Sequence, residues 1–108
     1  MGDAGARYSD EVGVFADELL DTFAPLGEVT WKKMFGGAGV FVDGSMFGLI
    51  DTEAKLHLKA DDSNREQFET AGGVKHGRMP YYSVPSEVLE DDDKLLSWAK
   101  TSAEIATG

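Results

Sequence analysis

The two histidines, His57 and His76, have the broadest chemistry in this 108-residue chain, because an imidazole can bind a metal ion or transfer a proton near neutral pH. They do not lie in an HExxH pattern or in another spacing that would hold a metal. His57 alternates with Lys55 and Lys59 on a predicted strand, which predicts that its ring faces solvent. The sequence therefore predicts neither a metal site nor a cofactor.

Other patterns that could support catalysis are incomplete. The glycines at 36, 37 and 39 do not precede a Gly-Lys-Ser/Thr ending or open a helix, so we interpret them as turn residues and not as a phosphate loop. Ser45 lies in Gly-Ser-Met-Phe-Gly, which is out of phase with a nucleophile elbow. An enzyme that uses His57 with Asp51 or Tyr81 is an alternative hypothesis that has no assembled triad behind it. We expect no catalytic residue and no small-molecule substrate.

Composition restricts the class of protein further. A chain of 108 residues with 42% hydrophobic residues can build one core but not two. The absence of cysteine excludes disulfides, thiolate metal sites and cysteine nucleophiles. With neither a signal peptide nor an apolar run approaching roughly 18 residues, the chain is expected in the cytoplasm, away from membranes. A net charge of -10 repels phosphate backbones, so we do not expect it to bind nucleic acid alone.

The first half of the chain predicts a helix followed by a sheet. Ser9 is a favourable N-cap for the helix, so residues 1–8 are predicted to form a flexible tail and residues 9–108 a single domain. Asp43-Gly44 predicts a tight hairpin, because glycine accepts the positive φ that such a turn needs. The predicted strands are 29–35, 39–42, 46–50 and 55–59.

The second half predicts two helices and one more strand. Residues 63–66 have the form of a capping box and predict a short helix that ends near Ala71. Residues 79–84 predict an edge strand, since Pro80 cannot donate a ladder hydrogen bond. The acidic run 91–93 lacks the spaced ligands of a calcium loop and predicts the N-terminal cap of a last helix.

The fourth predicted strand indicates the fold class. Leu56 and Leu58 point to one face of the sheet, while His57 points to the other. A sheet that buries one face, with helices before and after it, is typical of a two-layer α+β domain. We therefore predict an antiparallel sheet with helices on one face.

Charge and aromatic residues indicate a contact surface on the uncovered face. Basic residues concentrate on the predicted strands and loops and acidic residues on the helices, which leaves a weakly basic sheet face suited to an acidic or amphipathic protein segment or to a second copy of the chain. Tyr81 and Tyr82 point to opposite faces, so one ring is expected in the core and the other exposed. The candidate partner-binding residues are Trp31, Lys33, Phe41, Lys55, His57 and Lys59.

Five blocks of the sequence occur in an order that resembles a known domain. They are residues 32–41, 44–50, 56–61, 79–85 and 95–99. Together they resemble the N-terminal domain of the TfoX (Sxy) competence-regulator family over roughly residues 10 to 106. The chain departs from that family at residues 72–78, where the family's aromatic strand is lacking, and at its end, where full-length regulators continue into a helical domain.

The resemblance implies a fold like that of secretion-chaperone-like domains, a link to the control of natural transformation, and no known catalytic residue. Our leading hypothesis is a non-enzymatic regulatory or adaptor domain that acts through protein contacts, including contacts with a second copy. The alternative is a transcriptional regulator associated with nucleic acid, which the charge of the chain opposes.

Overall fold

The computed structural model describes residues 4–108, with side chains described from residue 11 onward. Helices flank a five-stranded sheet, and a short 3-10 turn at Ala24–Leu26 links the first helix to the first strand. The helices are α1 (Ala4–Phe23), α2 (Arg65–Thr70), α3 (Ser86–Leu89) and α4 (Asp92–Thr107). The strands are β1 (Val29–Met34), β2 (Gly37–Val42), β3 (Ser45–Ile50), β4 (Leu56–Lys59) and β5 (Tyr81–Ser83).

Helix α1 is longer than the sequence predicts. It begins at Ala4, so the predicted N-cap at Ser9 is wrong and residues 4–8 of the predicted tail are helical, while residues 1–3 lie outside the described part. It ends at Phe23, two residues before Pro25, as expected from the helix-breaking effect of proline. Val12, Ala16, Leu19 and Phe23 are buried, and Phe15 and Leu20 are half-buried.

The sheet is an antiparallel meander whose spatial order is the order of the strands along the chain. Val40, Ile50 and Leu58 point to the face on which α1 and α4 pack, where they join residues of both helices in one hydrophobic cluster. The predicted α+β fold with helices on one face is confirmed. The predicted edge position of the last strand is also correct, because β5 lies at one end of the sheet.

The two later helices begin in different ways. The predicted capping box is wrong, because Ser63 donates its hydroxyl to Asp61 Oδ1 at 2.6 Å and Asn64 Oδ1 accepts the Asp61 backbone N–H at 2.8 Å. The predicted cap of the last helix is correct: Asp91 Oδ1 accepts the backbone N–H groups of the second and third residues of α4 at 3.1 and 3.2 Å. Both helices pack onto the predicted face, with Phe68 buried from α2.

Candidate functional site

The sheet face away from α1 and α4, here called the open face, is only partly open. Leu49, His57 and Tyr81 point to it and are nevertheless buried. The segment 73–80 runs beside β5, where the Ser83 backbone N–H donates to Val74 O at 2.9 Å, and then places His76 over this face. The expectation of an uncovered face with no chemistry assembled on it is therefore wrong at its β4–β5 end.

Two of the six candidate contact residues lie on the other side of the sheet. Trp31 pairs with Val40, points toward the helices and donates its indole N–H to Asp17 of α1 at 2.9 Å. Lys33 pairs with Ala38 and shares that side, although its own side chain is exposed at the sheet edge. The expectation that Trp31 contributes to the uncovered face is thus wrong, because its ring completes the contact between α1 and β1.

Phe41, Lys55 and Lys59 of the candidate set lie where the alternation places them. Phe41 is half-buried on the open face, with the Lys32 ammonium 5.6 Å from its ring centroid. Lys59 is half-buried, and Lys55 is exposed just before β4, with its ammonium 3.7 Å from a Glu53 carboxylate oxygen. Lys55 and Lys59 lie two residues before and after His57, which is itself buried.

His57 is the clearest departure from the sequence analysis. Its side chain is only 5% exposed, so the predicted surface role is wrong. Its ring centroid lies 4.6 Å from that of His76, and its Nδ1 is 3.2 Å from the carbonyl oxygen of Lys55. Burial, and next the neighbouring His76, lower the pKa of His57, while Asp51 opposes part of that shift. The imidazole is therefore neutral at pH 7.

Asp51 completes a cluster with the two histidines, here called the His57 cluster. Its Oδ1 accepts the backbone N–H groups of Glu53 at 2.8 Å and Lys55 at 3.0 Å, which fixes the carboxylate at the start of the β3–β4 connection. One ligand-capable atom of each of Asp51, His57 and His76 lies within 4.8 Å of the others. The sequence spacing gives no sign that the two histidines are related, but the fold places their rings next to each other.

The two tyrosines of β5 point to opposite faces, as predicted, but neither is exposed. Tyr82 pairs with Leu58 and joins the hydrophobic cluster beside Phe68. Tyr81 lies on the open face, where its hydroxyl donates to Met46 O at 3.2 Å and burial raises its pKa. The predicted exposed tyrosine ring is therefore wrong.

Exposed apolar side chains instead gather around the β1–β2 turn. Phe35 has a φ of 53° and is 88% exposed, and Met79 is 37% exposed. They border an open cavity of about 370 Å³ together with Met34 and Leu49, and Asp51 and His76 line the same cavity. We call Met34, Phe35 and Met79 the Phe35 patch.

A model of the TfoX N-terminal domain matches residues 21–106, from the end of α1 through α4. The chain belongs to the TfoX N-terminal domain family. This confirms the resemblance noted from the sequence blocks. A search of curated proteins finds no matching relative. The TfoX N-terminal domain match includes both the Phe35 patch and the His57 cluster, and the family is regulatory or competence-related and not known as enzymatic.

The position of Trp31 in this TfoX N-terminal domain could have been found from the sequence. Val29 and Trp31 alternate with Thr30 and Lys32, so alternation alone places Trp31 on the face that Val29 helps to bury. No such signal exists for His76, because residues 72–80 have no helical or strand period that predicts their path. No helix within residues 4–108 combines the length and the apolarity needed to cross a membrane.

Proposed function

We propose that this TfoX N-terminal domain is a non-enzymatic regulatory adaptor that binds a partner protein through the Phe35 patch. The observation that carries the proposal is Phe35 itself, a phenylalanine in a left-handed conformation with 88% of its surface in water. Contiguous exposed apolar groups are a usual mark of a protein contact.

Phe35 is unfavourable in two separate ways. A left-handed backbone costs an L-residue roughly 1–2 kcal/mol, and asparagine or aspartate is the residue that such a turn ordinarily uses. Leaving a phenylalanine side chain in water also forgoes about 1.5–3 kcal/mol relative to its burial. Burial of the ring against a partner would recover the second of these costs, and this supports a binding role.

The charges beside the Phe35 patch favour an acidic amphipathic segment as the partner. Lys32 and Lys33 directly precede the patch in β1 and are exposed, and Arg78 is exposed beside Met79. Complementary charge around an apolar contact speeds association and selects among partners. We expect charge reversal at Lys32 and Lys33 to weaken binding, and binding to weaken as salt is raised.

A second copy of the chain fits this surface less well. β1 is an edge strand, and antiparallel pairing of two β1 edges in a register centred on Lys32 or Lys33 would place that lysine opposite its counterpart in the second copy. Like charges placed opposite each other across a strand pair are destabilising. Self-association through this edge is therefore an outcome for the test and not the proposal.

Photo-crosslinking from the turn tests the proposal. We would place p-benzoylphenylalanine at position 35 in cells, with the same residue at Val14 as the control, because Val14 is an apolar residue that is 57% exposed on α1. We expect a discrete crosslinked protein from position 35 that is absent from position 14 and is lost on charge reversal at Lys32 and Lys33. A crosslinked homodimer, a crosslink to nucleic acid, or the same products from both positions would contradict the proposal.

The regulatory context of this contact rests on the family, which supports a competence-related role. Direct binding to nucleic acid is the competing function, and the net charge of -10 opposes it. A salt titration with duplex DNA separates the two functions, since electrostatic binding is strongest at low salt. We expect no binding to DNA even there.

A further inference from the structure

We propose that Asp51, His57 and His76 form a binding site for one divalent transition-metal ion of the zinc class, independent of the proposed partner contact. Two imidazoles and a carboxylate are nitrogen and oxygen ligands that suit zinc and its neighbours in the first transition series. The three ligand-capable atoms lie within 4.8 Å of one another. The sequence spacing does not suggest these three ligands, because Asp51 follows β3, His57 lies in β4 and His76 lies in the segment before β5.

The hydrogen bond of His57 assigns its two ring nitrogens. Nδ1 is 3.2 Å from the Lys55 carbonyl oxygen, which can only accept, so Nδ1 carries the proton and donates. Nε2 then carries the lone pair that a metal needs. Metal-binding histidines nearly always donate their other ring N–H in this way, which fixes both the tautomer and the orientation of the ring.

The carboxylate is oriented by the backbone in a comparable way. Asp51 Oδ1 accepts the N–H groups of Glu53 and Lys55, so the carboxylate is fixed while Oδ2 remains available to a metal. The Lys55 backbone thus contacts two of the three ligands, its N–H holding Asp51 and its carbonyl holding His57. This shared support positions the two ligands relative to each other before any metal binds.

His76 supplies the third ligand from a turn that is itself hydrogen-bonded. Its backbone N–H donates to Tyr81 O at 2.8 Å, and its carbonyl accepts the Met79 N–H at 3.1 Å. Its ring is tilted 59° to that of His57 at a centroid separation of 4.6 Å, so the two rings are neither stacked nor parallel. Tetrahedral ligands at zinc distances lie about 3.3 Å apart, so small rotations of side chains close the site.

Three protein ligands leave at least one coordination position for another group. Asp51 and His76 line the open cavity of about 370 Å³, so a metal bound by them would border that space. A water molecule or a small anionic ligand would fill the remaining position.

Histidine NMR provides a direct test, because the chain contains only two imidazoles and His76→Ala assigns both. Untagged, metal-free protein labelled with 15N would be titrated with Zn²⁺, with calorimetry in parallel. We expect one equivalent of Zn²⁺ to bind and the 15N resonances of both rings to shift. No shift in either ring, or a shift in His76 alone, would overturn the proposal.

Matched variants distinguish the site from the acidic surface. His76→Ala and Asp51→Asn should each weaken Zn²⁺ binding at least tenfold, and the asparagine retains an oxygen that can accept the Glu53 and Lys55 N–H groups. Glu53→Gln, an exposed neighbouring acid, should change the affinity less than twofold. Circular dichroism checks that each variant is folded. Equal loss in Glu53→Gln, or unchanged affinity in both ligand variants, would show non-specific binding and contradict the site.

Discussion

The β1–β2 and β2–β3 hairpins close with turns of the same kind, Phe35-Gly36 and Asp43-Gly44. All four residues have positive φ, between 50° and 87°. Aspartate at the first position suits this geometry, and its Oδ1 also accepts the Glu28 backbone N–H at 3.1 Å. Phenylalanine at the same position has no local hydrogen bond to gain and leaves its ring in water. The Asp43-Gly44 turn therefore follows the ordinary rules of folding, and the Phe35-Gly36 turn breaks them where an apolar side chain is exposed.

The two turns differ in whether stability alone explains the residue at the first position of the turn. A stability argument accounts for Asp43-Gly44 completely, since each residue lowers the cost of the turn. It does not account for Phe35. Residues that violate local preference tend to occur at functional sites, and the proposed partner contact would give Phe35 a reason of that type.

The largest expected effect comes from the glycines of the two turns. Gly36→Ala should lower the free energy of unfolding by about 2–3 kcal/mol, because alanine at a φ of 80° is strained and its Cβ would lie 2.9 Å from Thr52 Cγ2. Gly44→Ala should cost only about 1 kcal/mol, since no heavy atom lies within 4 Å of its added Cβ. Urea unfolding of both variants measures the difference. Equal losses would show that the β1–β2 turn has no tighter surroundings than the other.

A smaller effect should follow from removing the aspartate that makes the second turn favourable. Asp43→Ala should lower the free energy of unfolding by about 1–2 kcal/mol, because it loses the bond to the Glu28 N–H and the tolerance for positive φ. Asp43→Asn retains both features and should remain within about 0.5 kcal/mol of the parent protein. An unchanged stability of Asp43→Ala would mean that the two turns do not differ in the way described.

The fold was largely predictable because its signals are local. Asp43-Gly44 indicates a hairpin directly, and the alternation of Leu56 and Leu58 identifies the buried face of the sheet. These features predict the meander and the helix-covered side without knowledge of distant contacts. The start of α1 was missed because Ser9 resembles a cap but lies inside the helix.

The candidate sites depend on contacts that local patterns do not contain. His57 was predicted to face solvent because alternation gives the direction of a side chain and not what covers it. The covering residue, His76, comes from an aperiodic segment nineteen positions later. The exposure of Phe35 likewise follows from its place in a two-residue turn, whereas the sequence block that contains it reads equally well as the continuation of a strand.

Phe35→Asn gives the most direct test of the central claim, that the phenylalanine is present for binding at a cost to stability. Its free energy of unfolding in urea would be measured together with the crosslinking yield from p-benzoylphenylalanine at position 79 in the same background. We predict that the variant is more stable by about 0.5–1 kcal/mol, since asparagine tolerates the left-handed turn, and that the yield falls at least tenfold. Val14→Ser is the control substitution. A crosslinking yield in Phe35→Asn equal to that of the parent protein would contradict the account.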